Sequence, residues 1–277
     1  MYLYFQPKGG FNDILCGIHK ILAHSKTHER TLLIDTRNTH YHINFSDYFD
    51  LPYTNVIYDM DTISEIFKTT SPTIYPKILS GKLQDIISGR IEFVFTESGY
   101  CYKDHVFKLP TEPQPETVLI HSNCGGGNGY LVFKDLQFTQ KVKDLCAKRY
   151  KLIQHPYLCL QIRHTDYTCN YEDLYLKNKD IFQAYRSIYV ATDNPTVLEF
   201  FAKNDVQVQN FTTFSPSPNA RNLHKSAVDP HTKLTDMLTD LYLCVMADKF
   251  LSNSTGGYIN LIRKCRSNKK HTAQQFQ

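Results

Sequence analysis

The stretch LCLQIRHTDYT, residues 158–168, changes character at its midpoint. Its first half is apolar apart from Gln161 and predicts a short buried strand. Four polar residues then follow with no glycine or proline between them: Arg163, His164, Thr165 and Asp166. As an isolated pattern this would be a solvated turn. In an α/β protein, however, residues that leave the carboxyl end of a parallel strand line the ligand crevice, so the rest of the chain decides between the two interpretations.

Short apolar strands alternate with helical patterns along the whole chain. In the first half we predict strands at 2–6, 31–35, 55–59 and 117–122, and a helix at about 12–25. In the second half we predict, in order, strand 158–162, a helix near 177–186, strand 187–192, helix 195–203, strand 206–211, a loop at 212–222, a helix through 234–245, strand 249–253 and a final helix. This order is typical of α/β architecture with parallel sheets. We predict two Rossmann-like domains, residues 1–148 and 149–277, facing a central cleft.

Composition excludes several classes of protein. The 277 residues carry 31 Lys+Arg against 27 Asp+Glu, a net charge of +4, which is too small to favour nucleic acid as a partner. No run approaches the ~20 apolar residues of a membrane span, and the N-terminus does not resemble a signal peptide. The eight cysteines contain no C-x-x-C pair, which favours reduced thiols and a cytoplasmic location over a zinc ribbon or a disulfide framework.

The first predicted strand is followed by PKGGFND, residues 7–13. Gly9 and Gly10 would let backbone amides approach a ligand closely, and Asn12 or Asp13 would cap the next helix. An ordinary turn with an N-cap explains the stretch equally well. It lacks the G-x-G-x-x-G spacing of dinucleotide sites.

Two more strand ends carry polar residues. After 187–192 come Asp193, Asn194 and Pro195, either a helix start with proline in the first turn or a carboxylate for a base or ribose. After 249–253 comes STGG, residues 254–257, which predicts an anion site at a helix N-terminus. If these strands share one sheet, Arg163 faces that site and completes a clamp for a diphosphate leaving group.

Several motifs resemble the fucosyltransferase superfamily that includes NodZ-type, α1,2-, α1,6- and protein O-fucosyltransferases. Residues 7–36 resemble the N-terminal turn, helix and strand of the NodZ type, and QIRHTDY (161–167) resembles the H-x-R-R-x-D motif. YVATDNP (189–195) is similar to the second motif and TDLYLCVMADKFLSNSTGGY (239–258) to the third. Together they span most of the chain in the family's order.

The resemblance implies a GT-B glycosyltransferase that inverts the sugar carbon, needs no metal or cofactor, and uses a nucleotide sugar as co-substrate. It implies transfer of fucose from GDP-fucose to an oligosaccharide or glycoprotein acceptor, with the donor held mostly by the C-terminal domain. The donor-binding residues expected from it are Gly9, Gly10, Phe11, Asn12, Gln161, Arg163, His164, Thr192, Asp193, Ser252, Asn253, Ser254, Thr255, Gly256 and Gly257.

Two positions depart from the family's pattern. Gln161 stands where the family carries the histidine associated with guanine recognition, and His164 replaces the second arginine of the motif. A UDP-sugar donor such as UDP-xylose is therefore an alternative on the same scaffold. A non-catalytic nucleotide- or glycan-binding module and a nucleotide-sugar hydrolase are further alternatives.

Inverting transfer requires a base that takes the acceptor hydroxyl's proton. Asp166 is the first choice because it leaves the same strand end as Arg163. Glu172 and Asp173 are rivals on the following loop, and Asp13 is another candidate. Asp59 and Asp61 form a D-x-D pattern that can bind Mn²⁺, but we expect a helix cap there and no metal site.

Overall fold

A computed structural model describes residues 1–68, 71–165, 167–215 and 226–276. The chain forms two compact units, Met1–Gln137 and Phe138–Gln277. The domain boundary predicted at 148/149 falls inside a helix of the second unit, Gln140–Lys151. Each unit is organised around its own parallel sheet.

The first unit begins with a strand, a helix and a second strand, as predicted. Its elements in chain order are β1 (Tyr2–Lys8), α1 (Phe11–Thr27), β2 (Thr31–Ile34), β3 (Phe49–Asp50), β4 (Val56–Ile57), α2 (Met60–Lys68), β5 (Ile74–Tyr75), α3 (Leu83–Ile87), β6 (Val94–Thr96), β7 (Gly99–Tyr102), β8 (His105–Val106), β9 (Val118–Cys124) and α4 (Gly129–Phe133). The main sheet has the order β4-β2-β1-β9-β5, and all its pairs are parallel. The register pairs Lys8 with Cys124, so the turns after β1 and β9 begin side by side.

The second unit begins at Phe138, the second residue of the short strand β10 (Gln137–Phe138). Its elements are α5 (Gln140–Lys151), β11 (Tyr157–Ile162), α6 (Tyr171–Lys177), α7 (Lys179–Ala184), β12 (Ser187–Thr192), α8 (Pro195–Lys203), α9 (Pro230–Met246), β13 (Lys249–Leu251), α10 (Gly257–Ser267) and α11 (Lys269–Gln275). The parallel sheet has the order β12-β11-β13. The decisive strand, β11, therefore lies at its centre and is buried along its whole length.

Continuous apolar runs explain why these strands are central. Every residue of β11 and β12 is buried, as expected for a parallel sheet that is covered on both faces. In the second unit the core joins β11 and β12 to α6, α7 and α8 through side chains that include Leu160, Val190 and Phe201. In the first unit a separate core includes Tyr4, Leu33 and Ile120.

The predicted α/β class is confirmed, and most predicted elements form near their expected positions. Two expectations were wrong, and one small sheet was not foreseen. The strand expected at 206–211 contributes a single bridge between Tyr189 and Gln209, and the helix expected near 177–186 is two short helices, α6 and α7. The small antiparallel sheet β6-β7-β8 was not foreseen. Residues 216–222 of the predicted loop lie outside the described residues.

None of the helices in the described parts of the chain combines the length and the apolar character that crossing a membrane requires.

Candidate functional site

Arg163 leaves the carboxyl end of β11 and lies beside the start of α10. Its backbone N–H donates to Ser254 Oγ at 2.9 Å. Its guanidinium Nη1 lies 3.6 Å from the position that a Cβ on Gly256 would occupy. The guanidinium carbon is 4.6 Å from the ring centroid of Tyr167. The cation and the helix start that the sequence analysis paired are therefore neighbours in the structure.

The start of α10 depends on glycine. Gly256 is the N-cap residue and has φ +105°, a conformation that residues with a side chain rarely adopt. Because the first turn of a helix leaves backbone N–H groups without partners inside the helix, it attracts anions. A substituent at position 256 would be strained by this backbone conformation, and it would make an ordinary van der Waals contact with Arg163.

Two serines tie the end of β13 to β11. Ser254 is buried, and its hydroxyl donates to the carbonyl oxygen of Gln161 at 3.2 Å while accepting from Arg163. Ser252 Oγ lies 2.6 Å from the Gln161 carbonyl oxygen and 3.2 Å from its side-chain Oε1. These bonds fix the backbone from which Arg163 and the α10 turn project.

Asp193 organises the turn that follows Arg163. One of its carboxylate oxygens accepts from the backbone N–H of His164 at 2.7 Å, and the other accepts from Thr165 Oγ1 at 2.7 Å. Burial raises the pKa of Asp193 above its usual value, although these bonds and the charge of Arg163 oppose the shift. The carboxylate predicted to contact a base or ribose thus already holds the Arg163 turn.

Asn194 and Pro195 start α8 as predicted. Asn194 Oδ1 accepts from the N–H of Thr196 at 3.0 Å, and Pro195 occupies the first turn. Asn194 Nδ2 also donates to the carbonyl oxygen of His164 at 2.8 Å. Thr192 Oγ1 accepts from the N–H of Asn194 at 3.3 Å. The end of β12 is therefore bonded to the turn after β11.

The imidazole of His164 is oriented by two neighbours. Its Nδ1 lies 3.4 Å from the backbone N–H of Cys169 and can accept from it, which leaves Nε2 to carry the proton in the neutral ring. The ring meets Tyr171 edge-on at 4.9 Å. Burial raises the pKa of the Cys169 thiol, which contacts Asn253 Oδ1. Asn253 Nδ2 donates to the carbonyl oxygen of Asn170 at 2.6 Å, so Asn253 orders the loop after Arg163.

The remaining candidate residues that the structure describes in this unit lie at the starts of α10 and α6. Thr255 is exposed directly before the N-cap of α10, and Gly257 is the first residue of that helix. Glu172 is exposed in the first turn of α6, and its neighbour Asp173 forms an ion pair with Lys177 at 2.8 Å. The predicted base Asp166 lies outside the described residues.

In the first unit, the turn after β1 brings Asp13 against a glycine backbone. Gly9 has φ +92°, and a Cβ there would lie 2.9 Å from Asp13 Oδ2 and 2.7 Å from Cys124 Sγ. Asp13 Oδ2 accepts from the N–H of Gly10 at 3.3 Å, so Asp13, not Asn12, caps α1. Desolvation of the Cys124 thiol, with the charge of Asp13, raises its pKa to about 11.

Close packing against α1 holds the loop after β9. A Cβ on Gly127 would lie 2.2 Å from the carbonyl oxygen of Cys16, and one on Gly129 would lie 2.9 Å from Asn12 Oδ1. Asn12 therefore lies in the first turn of α1 beneath this loop, with Nδ2 3.5 Å from Cys16 Sγ. Phe11 is buried, and its ring lies 5.5 Å from that of Phe49.

Sequence reasoning missed three residues of the second-unit cluster. Thr165 bonds to Asp193, Asn194 bonds to the turn after β11, and Tyr167 lies under the guanidinium of Arg163. All three lie inside the motifs 161–167 and 189–195. Their positions in the motifs were visible, but their partners were not.

Asp59 has the structural role that was predicted for it. Its Oδ2 accepts from both the backbone N–H and the hydroxyl of Thr62, at 2.8 and 2.6 Å, in the first turn of α2. These bonds hold the pKa of Asp59 below its usual value. Across the described residues, no group of three or more His, Cys, Asp or Glu is arranged to hold a metal ion.

The chain has the fold of known fucosyltransferase structures. NodZ α-1,6-fucosyltransferase soaked with GDP-fucose matches with a TM-score of 0.58 at 15% identity, over 95% of this chain and 91% of that one. The fucosyltransferase NodZ from Bradyrhizobium gives 0.57 at 14% identity, over 95% and 92%. POFUT1 in complex with GDP gives 0.58 at 15% identity, over 99% and 96%. No protein-family model and no curated protein matches the sequence.

These matches confirm the predicted GT-B fold class. At this level of identity they concern the backbone architecture, so the activity has to be argued from the site.

Proposed function

We propose that the protein is an inverting, metal-independent glycosyltransferase that moves fucose from GDP-fucose to a glycan acceptor. The observation that carries the proposal is the position of Arg163 beside Gly256 at the N-terminus of α10. A permanent cation and oriented backbone amides at one place suit a diphosphate. The structures of similar fold with bound GDP-fucose and GDP support the choice of donor.

The geometry suggests how the second unit would promote the reaction. As the bond between the sugar carbon and the phosphate oxygen breaks, negative charge develops on the departing GDP. Arg163 and the amides of the first turn of α10 are already held in place, so they can stabilise that charge without reorganising. This fixed positive potential is the basis for proposing that no metal is needed.

The acceptor hydroxyl must lose a proton to a base as its oxygen bonds to the sugar carbon. Asp13 is a candidate because its carboxylate lies above Gly9, where any larger residue would displace it. Glu172 is a candidate as an exposed carboxylate on α6. Asp166 stays a prediction from its place after Arg163 in the sequence. We propose that one of these three carboxylates is the base.

The donor nucleotide is the least constrained part of the proposal. Gln161 is buried, and its Oε1 is positioned to accept from Ser252, an arrangement that directs the amide nitrogen to other acceptors. Guanine and uracil both offer carbonyl oxygens to such a donor. We favour GDP because of the bound nucleotides in the similar structures, and we keep UDP-xylose as the alternative donor.

Calorimetry with GDP, UDP, GDP-fucose and UDP-xylose tests the donor site. We expect GDP and GDP-fucose to bind and Arg163→Ala to weaken binding at least about a hundredfold, as for loss of a charged hydrogen-bonded contact. Arg90→Ala is the matched control, because Arg90 forms an exposed ion pair with Asp85 in the first unit. Absence of nucleotide binding, or equal effects of the two variants, would refute the proposed site.

Turnover separates an enzyme from a binding module. We expect sugar transfer to persist in EDTA, and we expect one variant among Asp13→Asn, Asp166→Asn and Glu172→Gln to lose transfer while it still binds GDP. Product stereochemistry by NMR tests inversion. Nucleotide binding without transfer to any acceptor would favour the non-catalytic module, and release of free sugar alone would favour the hydrolase.

We also propose the cytoplasm as the compartment. All eight cysteines lie among the described residues and are free thiols, and the sulfurs of Cys159 and Cys244 are only 3.4 Å apart without forming a disulfide. This pattern is typical of proteins kept in reducing conditions. Fractionation of the native cells, with thiol labelling before lysis, tests the location.

A further inference from the structure

The small sheet β6-β7-β8 presents an aromatic surface that the proposed donor site does not use. Phe95, in the edge strand β6, is 67% exposed, the highest value among the large apolar side chains that the structure describes. Val94 beside it is 61% exposed. Because side chains alternate along a strand, Val94 lies on the opposite face of the sheet, and the exposed aromatic surface is that of Phe95 with its partner on the neighbouring strand.

Phe95 is held against Tyr100 on the neighbouring strand. The two residues are paired in the register of β6 and β7, and their ring centroids are 5.2 Å apart at an angle of 54°. Tyr100 is itself half-buried and packs against the apolar core of the first unit. Tyr100 therefore supports the exposed ring of Phe95, and we call this pair the aromatic platform.

The platform adjoins the glycine turn of the first unit. Strand β7 packs against β9, whose last residue is Cys124, and Cys124 Sγ lies over Gly9 beside Asp13. Burial raises the pKa of Tyr100 to about 12, and the nearby Cys124 and Asp13 add to the effect. Strand β7, which carries Tyr100, thus packs against the strand that ends beside the candidate base Asp13.

The charge of this segment indicates which kind of ligand suits it. Residues 94–106 contain one basic and two acidic residues, Lys103, Glu97 and Asp104, a net charge of 1 − 2 = −1 with His neutral. Such a weak field favours neither a polyanion nor a strongly basic partner. Flat aromatic faces beside hydrogen-bonding groups suit a sugar ring, which has an apolar C–H face and a polar rim.

We propose that Phe95 and Tyr100 form an acceptor subsite that stacks against a ring of a neutral oligosaccharide and directs its hydroxyl groups toward Asp13. This inference rests on the proposed function for the identity of the reaction. The subsite itself belongs to the first unit and binds sugar without the donor. Pairing of a partner peptide along the open edge of β6 is the competing interpretation that the test separates.

Saturation-transfer NMR with lactose, cellobiose and N,N′-diacetylchitobiose tests the subsite without the donor. We expect at least one disaccharide to bind, Phe95→Ala to weaken its binding about tenfold, and Phe95→Tyr to retain it within about twofold. Leu176→Ala, which removes a 60% exposed apolar side chain from the second unit, is the control and should change nothing. No binding by any of the three, or equal binding by Phe95→Ala, overturns the subsite.

GDP calorimetry on the same variants keeps the two proposals distinguishable. Normal GDP binding with unaffected sugar binding in Phe95→Ala refutes the platform alone, whereas sugar binding without any nucleotide binding refutes the donor site alone. A loss of turnover confined to polypeptide acceptors, with free oligosaccharides unaffected, overturns the sugar assignment in favour of strand pairing.

Discussion

The turns after β11 and β13 are held by hydrogen bonds from side chains to backbone, whereas the turns after β1 and β9 are held by glycines packed against α1. In the second unit Ser254 and Asp193 accept from the backbone N–H groups of Arg163 and His164. In the first unit the corresponding positions are Gly9, Gly127 and Gly129, each of which has an atom within 3.0 Å of the place that a Cβ would take.

The difference matters because packed glycines and hydrogen bonds from side chains to backbone are disrupted by different changes. A packed glycine has no charge or hydrogen-bonding side chain to lose, but it tolerates no added volume. A buried polar contact tolerates changes of shape better, but it is sensitive to the loss of one partner and to protonation. Added volume should therefore perturb the glycine turns of the first unit most, and loss of a hydrogen-bonding partner should perturb the strand-end turns of the second unit most.

Gly127→Ala should have the largest effect on stability. Its new methyl group would lie 2.2 Å from the backbone carbonyl oxygen of Cys16, which cannot move without bending α1. We expect the free energy of unfolding to fall by about 3 kcal/mol. Urea unfolding measures the change.

Gly10→Ala is the matched control. Neither glycine has a positive φ, and the nearest atom to a Cβ on Gly10 is Asp13 Oδ2 at 3.9 Å. As an N-cap change it should cost less than about 1 kcal/mol. If the two variants were equally stable, close packing would not be what positions the loop after β9.

The second unit should contribute a pH dependence of stability through one buried carboxyl group. Asp240 on α9 is buried and accepts from Tyr189 at 2.5 Å and from Thr212 at 3.1 Å. Burial raises its pKa from 3.8 to about 7; the charge of Asp236 adds to the rise, and that of Arg149 opposes it. Because the folded state binds this proton more tightly, the stabilisation is complete below pH 3.8 and is lost as the pH rises toward 7.

Asp240→Asn should remove this dependence. Between pH 5 and 7 we expect the wild type to lose about 2 to 3 kcal/mol relative to the variant, at roughly 1.4 kcal/mol per pH unit. Asp144→Asn, at an exposed position on α5, should follow the wild-type profile. Parallel profiles for wild type and Asp240→Asn would show that this carboxyl group is not protonated in the folded protein.

The first unit should respond in the opposite direction over the same pH range. Burial lowers the pKa of His24 to about 4 and that of His121 to about 3, so the stabilisation from these neutral imidazoles is present above pH 6.5 and is lost as the pH falls below it.

Asp35 responds only at lower pH. Although burial would raise the pKa of Asp35, hydrogen bonds donated by Arg37 and Tyr4 hold it below 3.8. The stabilisation from this group is present above pH 3.8 and is lost only as the pH falls through the lowered pKa. Acid should therefore weaken the hydrogen-bond network around Asp35, whereas neutral pH should weaken the hydrogen-bond network around Asp240.

Periodicity predicted the fold well because both parallel sheets are covered on their two faces. Fully buried strands such as β11 and β12 are continuous apolar runs, which are visible in the sequence. The stretch 206–211 has strand-like residues but forms only one bridge, because pairing with β12 is a tertiary event. Strands β6 to β8 are only two to four residues long and none is continuously buried, so they carried no comparable signal.

The candidate site could be predicted in part, because its residues follow the ends of the parallel strands. Residues after strand ends could be found by position, and Arg163 and Gly256 proved to be neighbours. The roles of Asp193 and Ser254 could not be found that way, because both turned out to bond to backbone groups distant in sequence. A sequence shows which polar side chains follow the ends of strands, but not which of them are already hydrogen-bonded to the backbone there.

Ser254→Ala should have the smallest effect on stability. It directly tests the hydrogen bond that holds the turn after β11. Loss of the hydroxyl leaves the N–H of Arg163 without its 2.9 Å acceptor, so we expect a loss of about 1 to 2 kcal/mol in stability. Arg163 would also be less firmly directed toward the N-terminus of α10, and GDP affinity should fall several-fold, to be measured by calorimetry. Thr255→Ala changes the exposed neighbouring hydroxyl and should leave stability unchanged. If both variants cost the same, or if GDP affinity fell with no change in stability, Ser254 would act on the ligand itself and the contrast between the two units would not hold at this position.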